Sequence, residues 1–401
     1  MSNQEGDRLD ALIVGAGVVG LACAWRAAER GLRVRVLERD VPGAGASGVA
    51  AGMLAPVGEA TWGEEDQLRL ALRSHAAWPG FAADLEGATG AQVELLRRGA
   101  LHVALDADEA GELRRRFALM EELGLEAEWL RPADARQAEP ELTPRLAGAV
   151  SAPHEAAADP PALVGALRLA AERAAAEVVQ GAEVVEALLE DAAVRGVRTA
   201  DGREHVADRV VLAAGAWSGE AGWLPPEARP PVRPVKGEII TLRARRGAPP
   251  IQRVVVSERV YLVPRADGRL VVGATVEERG FDTTVTAGGV LELLREAYRA
   301  IPEIAELESV DAVAGLRPGT PDNLPIIGHG AIDGLIVATG HYRNGILLAP
   351  VTAEAVVALL TRGELAPELA AADPARFHPP APHGAVDGRE KVDQPEGAEA
   401  R

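Results

Sequence analysis

The chain has 401 residues, a formal net charge of -18 and a pI near 5.0. So acidic a surface repels nucleic acid and anionic membranes, and neither is an expected partner. The lone cysteine, Cys23, excludes a disulfide framework and a cysteine-built zinc site, and no metal centre is expected.

Residues 1–10 are acidic and polar, without the basic start and apolar stretch of a secretion signal, which predicts a cytoplasmic protein. Residues 11–14 are an apolar run of strand length, followed at once by Gly15-Ala16-Gly17-Val18-Val19-Gly20. A helix is predicted over 21–30 and a second strand over 32–37, with Glu38 at its end. Strand, glycine turn, helix, strand and acid in this order form a dinucleotide-binding unit. Gly15 allows the tight turn, Gly17 lets backbone approach a pyrophosphate, and Gly20 lets helix and strand pack closely. The helix start offers free N–H groups to phosphates, and Glu38 can accept hydrogen bonds from ribose hydroxyls. The motif alone does not separate FAD from NAD.

Residues 41–53 are small and glycine-rich, suited either to lying flat against a ligand or to a flexible loop. A helix is predicted over 67–86, strands over 93–105 and a charged amphipathic helix over 109–123. Asp159 reads as a helix cap, with proline in the first turn. Strands follow at 183–186 and 194–199. A buried strand over 207–214 ends at Gly215. Stretches 235–242, 254–263 and 269–274 suit a separate antiparallel sheet. A helix over 291–300, a buried strand over 335–338 and a helix over 346–360 complete the elements. Beyond about residue 370, Pro, Ala, Gly and charge predict a disordered tail.

The predicted fold class is α/β: a Rossmann-like nucleotide domain with an inserted, mainly antiparallel α+β substrate domain. The first is assigned 8–85, 151–225 and 313–368, the second 86–150 and 226–312, and the tail 369–401. Near the end stand Gly315-Leu316-Arg317-Pro318-Gly319-Thr320 and Gly340-His341-Tyr342-Arg343-Asn344-Gly345-Ile346. Arginines among glycines, against an acidic background, suit a small anion beside a flat cofactor. The planar Arg317 guanidinium can pair bidentately with a carboxylate. His341 is open to two readings, a base or a packed, hydrogen-bonded side chain. The absence of a second GxGxxG unit and the return to the nucleotide sheet near the C-terminus favour FAD over NAD.

These motifs resemble the D-amino-acid oxidase superfamily of FAD-dependent amine oxidases, and within it the glycine oxidases of thiamine biosynthesis. The likeness spans about residues 10–365. It includes Ala50-Ala51-Gly52-Met53-Leu54, Tyr261-Leu262-Val263-Pro264-Arg265, and Gly268 to Thr275. The resemblance implies that Gly15, Gly17, Val18, Val19, Gly20, Glu38, Arg39, Ala46, Ser47, Ala51, Gly52, Met53, Val184 and Gly215 hold a noncovalent FAD. It implies that His341, Tyr342, Arg343, Asn344, Gly345, Ile346 and Leu347 border its isoalloxazine. Arg317 and Tyr261 would bind the substrate carboxylate, with Arg343 nearby and Met53 and Val276 shaping the pocket. Val276 stands where some members carry methionine.

The activity so implied is oxidation of glycine, sarcosine or D-alanine by oxygen, giving a 2-oxo acid, ammonia and hydrogen peroxide. Partners would be the small amino-acid substrate, oxygen and the thiazole-synthesis machinery. Oligomeric state is open, a homo-oligomer being one option. The alternatives are a D-amino-acid dehydrogenase that reduces a quinone or carrier, and a nucleotide-binding protein without redox chemistry.

Overall fold

The computed structural model describes residues 8–245 and 247–377. Its first large sheet centres on the strand Leu9–Val14. That strand pairs in parallel with Val34–Leu37 on one side and Glu204–Leu212 on the other. Glu177–Val179 extends the sheet beyond Val34–Leu37, and Leu335–Thr339 pairs in parallel with Glu204–Leu212. Alternation along the central strand explains its burial. Ala11 and Ile13 face the helices Val18–Glu29, Pro160–Arg173, Glu65–Thr89 and Gly345–Arg362. Leu12 and Val14 face a second layer with Val194, Val197 and Leu224. A strand covered on both faces needs apolar residues at every covered position, as Ala11, Leu12, Ile13 and Val14 provide, while Asp10 at its open end pairs with Arg33.

The helix Gly345–Arg362 is long and apolar enough to cross a membrane by length and composition alone. Here it lies in the core, packed against Val18–Glu29 and Glu65–Thr89.

The second sheet follows the order Glu308–Gly319, Arg233–Arg243, Arg269–Gly273, Tyr261–Pro264, Val254–Val256, Ala100–Ala104, Gly148–Ala152, Glu128–Leu130. All its pairs are antiparallel except Val254–Val256 with Ala100–Ala104. Period-two alternation again sorts the faces. Leu262, Leu270 and Val272 pack under the helix Ala287–Ala300. Tyr261, Val263, Val271 and Ile239 point the other way, toward Ala51 and Met53.

The buried Arg265 side chain crosses between the two units. Its guanidinium donates to the carbonyls of Ala158 (3.0 Å) and Ala51 (2.6 Å).

Three expectations require correction. The strand Glu308–Gly319 pairs with Arg233–Arg243 along its whole length, so residues 313–319 belong to the second sheet. Asp159 precedes its helix but makes no side-chain cap; it pairs instead with Arg269 at 2.5 Å. Residues 369–377 are not disordered. Leu369, Ala372 and Pro374 are buried, Phe377 packs on the first sheet, and Arg376 meets Asp322 at 2.8 Å. Wide spacing hid these anchors among small residues. The rest of the predicted tail, 378–401, lies outside the described residues.

A chain ended at Phe377 is expected to melt several degrees above one ended at Ala366. Each apolar side chain removed from its seat costs about 1–3 kcal/mol, and each kcal/mol moves Tm by about 2–4 °C in a domain this size. Paired thermal melts check this; equal melting temperatures contradict it.

Candidate active site

One cleft of about 1530 Å³ runs between the two sheets. At its nucleotide end, Gly15 takes φ +107, a value favouring glycine, and a Cβ there would lie 2.5 Å from the Ala213 carbonyl oxygen. Gly20 packs on Gly15 without lining the cleft, which is its helix–strand role. Glu38 braces the turn, accepting from Ala16 N–H at 2.7 Å and Asp40 N–H at 3.0 Å. A carboxylate has lone pairs to spare for further donors. Gly17 begins the helix without a side-chain cap, and Ser47 Oγ accepts from Val18 N–H at 3.0 Å. Val18, Val19, Arg39, Ala46, Ala51, Gly52, Met53, Val184 and Gly215 line the same cleft. The Arg39 guanidinium lies 4.9 Å from the Trp217 ring, which packs on Phe281.

The two C-terminal motifs meet through backbone. Tyr342 adopts φ +47, and its N–H donates to the Pro318 carbonyl at 2.9 Å. This brings Arg317 and Arg343 to one cleft. His341 is buried and its Nε2 meets Thr352 Oγ1 at 2.9 Å. Burial pushes its pKa down to about 4, so it is neutral near pH 7 and fits the packed reading. The helix beginning at Gly345 has no side-chain cap from Asn344, leaving its first N–H groups and dipole end at the cleft. Gly345 and Ile346 line the cavity; Asn344 and Leu347 do not. Leu347 is instead a core residue whose carbonyl accepts from Ser74 Oγ (2.6 Å) and Trp78 Nε1 (2.9 Å). Helical periodicity turns it away from its neighbour Ile346.

Arg317 and Tyr261 rest on glycines of the second sheet. The Arg317 guanidinium lies against Gly237 and donates to the carbonyls of Lys236 (3.3 Å) and Thr275 (3.1 Å). A Cβ on Gly273 would lie 2.5 Å from the Tyr261 hydroxyl oxygen. The Tyr261 phenol is pushed up by burial and pulled back by the neighbouring Arg317. Val276 is 58% exposed and sits on the cleft wall. An arginine fixed by backbone carbonyls, with a phenol at its side, is a ready carboxylate receptor.

A family model described as FAD dependent oxidoreductase matches residues 10–359. The chain belongs to this family. Glycine oxidase of Geobacillus kaustophilus is 38% identical over 90% of this chain and 96% of that protein. Its crystal structure superposes with a TM-score of 0.86, covering 92% of this chain and 99% of that one at 37% identity. The bifunctional protein ThiO/ThiG of Trichormus variabilis is 36% identical over 92% of this chain, which spans 55% of that protein. Iminodiacetate oxidase from Chelativorans sp. superposes at 0.82 with 27% identity, covering 91% of this chain and 98% of that one. FAD is the cofactor of this family. The Gly15 turn, the helix starts at Gly17 and Gly345, and the volume of the cleft fit such a group. Among the described residues no cluster of metal-binding side chains occurs.

The sequence reading missed several cleft residues of this family member. Gly237 and Gly273 seat the arginine and tyrosine, and Glu59, His102 and Arg116 also line the cavity. A single glycine inside a strand, as Gly237 is, or at its end, as Gly273 is, carries no mark in the letters of what packs over it. Glu59 is readable only as one more acid among 60 acidic residues.

Two outcomes are expected. Gly273→Ala displaces the Tyr261 ring, so carboxylate inhibitors bind about tenfold more weakly, the loss of one hydrogen bond to a charged group, while FAD content stays unchanged. Inhibitor titration checks this. For His341 the folded pKa of about 4 lies below the unfolded value near 6.5. Its stabilising effect is complete above about pH 6.5 and is lost as pH falls toward 4, on the order of 3 kcal/mol. His341→Gln should therefore flatten the fall of Tm between pH 7 and 4.5; an unchanged slope contradicts the assignment.

Proposed function

We propose that this protein oxidises glycine, and amines as small as sarcosine and D-alanine, to a 2-oxo acid and ammonia with reduction of oxygen to hydrogen peroxide. The observation that carries the reading is Arg317 and Tyr261 facing the same cleft as the Gly15 turn and the Gly345 helix start. Likeness to glycine oxidases along nearly the whole chain supports it. The relatives named bifunctional ThiO/ThiG support supply of the resulting imine to thiamine thiazole synthesis.

When bound, FAD supplies the acceptor for the hydride lost from the substrate's α-carbon. The chain supplies position and charge. Arg317 and Tyr261 hold the carboxylate, which fixes the α-carbon toward the Gly345 side. The Gly345 helix start stabilises negative charge that develops at the cleft. Met53 and Ile239 give the cleft wall an apolar patch. Glycine has no side chain to grip, so the carboxylate contacts carry much of its orientation. Cys23 is wholly buried in its helix, with its thiol pushed up to about 12, so it offers no thiolate for flavin attachment.

Arg317→Ala should keep its FAD and lose about 30- to 5000-fold in kcat/KM for glycine, since losing one partner of a buried charge pair costs about 2–5 kcal/mol. Arg317→Lys should recover only part. Oxygen uptake with peroxide release separates the oxidase from a dehydrogenase, and acid precipitation should free all the flavin. Near-normal kinetics in Arg317→Ala would move the carboxylate site to Arg343. Faster turnover of D-phenylalanine than glycine would replace the glycine reading with a broad D-amino-acid oxidase.

A further inference from the structure

Glu59 stands in the loop between the strand Met53–Leu54 and the helix Glu65–Thr89, on the wall of the cleft that holds Arg317 and Tyr261. Among the described residues its carboxylate makes no hydrogen bond and no ion pair, and the space beside it is the cavity. The loop itself is held firmly. Gly58 N–H donates to Glu155 at 2.5 Å, and the Gly58 carbonyl accepts from Arg116. The other Glu155 oxygen meets His102 Nε2 at 3.1 Å, with both side chains buried. The His102 ring lies so close to Gly58 that no side chain fits there. Two buried polar side chains and an arginine thus fix the backbone that carries an unpaired acid. A fully buried acid that serves structure finds partners, as Glu155 does, whereas Glu59 is half-buried on the cavity wall. An acid fixed without one, facing a ligand cavity, awaits a cation from the ligand.

An amino acid brings both charges. Arg317 and Tyr261 take the carboxylate, and the ammonium remains. We propose that Glu59 receives the substrate's ammonium group and removes its proton before oxidation. This rests on the amino-acid oxidase reading above. One N–H bond of the ammonium breaks and one O–H bond forms on Glu59. The electron pair stays on nitrogen, leaving a neutral amine beside a neutral carboxyl. No oxidant or further reactant enters this step.

The surroundings suit such a transfer. Burial raises the Glu59 carboxyl, and Glu155 raises it further, while Arg343, Arg116 and His102 act in the opposite direction. Glu59 in turn opposes ionisation of the Tyr261 phenol, which keeps that hydroxyl a donor to the carboxylate. An acid raised from its ordinary value is a better proton acceptor than an exposed one. Arg343 therefore acts on the amine end, tuning Glu59, while Arg317 serves the carboxylate end.

The test uses the FAD-loaded enzyme and the neutral isostere Glu59→Gln. Binding is followed through the flavin spectrum with acetate, which has a carboxylate only, and with glycine; the glycine value is its Kd, or its KM where it is consumed. Acetate binding should hold within about twofold, while glycine should weaken about 10- to 100-fold, the range for one charge-assisted hydrogen bond. The parent's kcat/KM should fall at low pH as Glu59 gains its proton. In Glu59→Gln that limb should vanish, and kcat/KM should climb with pH toward the amine's own titration. Glu59→Asp should recover part of the loss.

Equal loss of acetate and glycine would overturn the proposal, because it would mark a general disturbance of the cleft. An unchanged glycine affinity and pH profile would overturn it as well. If the parent binds glycine without oxidising it, the functional reading fails, and the comparison of the two Kd values still decides the role of Glu59.

Discussion

A single buried guanidinium ties the molecule together. Arg265 leaves the second sheet and donates to the carbonyls of Ala51, before the strand Met53–Leu54, and Ala158, before the helix Pro160–Arg173. Those carbonyls belong to small-residue backbone that could not be buried unpaired without a cost of about 1–3 kcal/mol each. Arg269 reinforces the join through Asp159. Burial lowers the Arg265 pKa from its ordinary value, with Asp159 acting against that shift. This contact ties the strand Tyr261–Pro264, and with it Tyr261, to the backbone beside the nucleotide turn.

Given that join, the cleft is a division of labour between rigid parts. The first sheet presents a turn and two helix starts, where positive dipole ends meet the cavity. The second presents a flat face in which Gly237 and Gly273 open room for a guanidinium and a phenol. Neither sheet offers a complete site. The backbone bond from Tyr342 to Pro318 fixes their relative position where it matters most, beside Arg317.

Much of this was legible in the letters. The Gly15 to Gly20 turn and Glu38 rest on local rules of backbone and periodicity, so the sequence carries them openly; the stretch 254–263, expected as one strand, instead turns at 257–260 and places Tyr261 at the start of the next strand. Arg317 and Arg343 stood out because cations gathered among glycines in an acidic chain. What stayed hidden depends on distant contacts. Glu59 sits after Ala55, Pro56, Val57 and Gly58, and its role arises from Glu155, His102 and Arg116 far along the chain. Asp159 looked like a cap because its competitor, Arg269, is 110 residues away. Phe377 and Leu369 looked like parts of a tail because their seats on the first domain cannot be seen from local composition.

The central claim is that one cleft brings an amino acid held by Arg317 and Tyr261 to the cofactor of this family. Anaerobic mixing of the purified, FAD-loaded protein with glycine tests it most directly. The account predicts that the visible flavin absorption bleaches in a single turnover, with one glyoxylate and one ammonia formed per flavin. A flavin that stays oxidised through saturating glycine, while free to be reduced by dithionite, would contradict it.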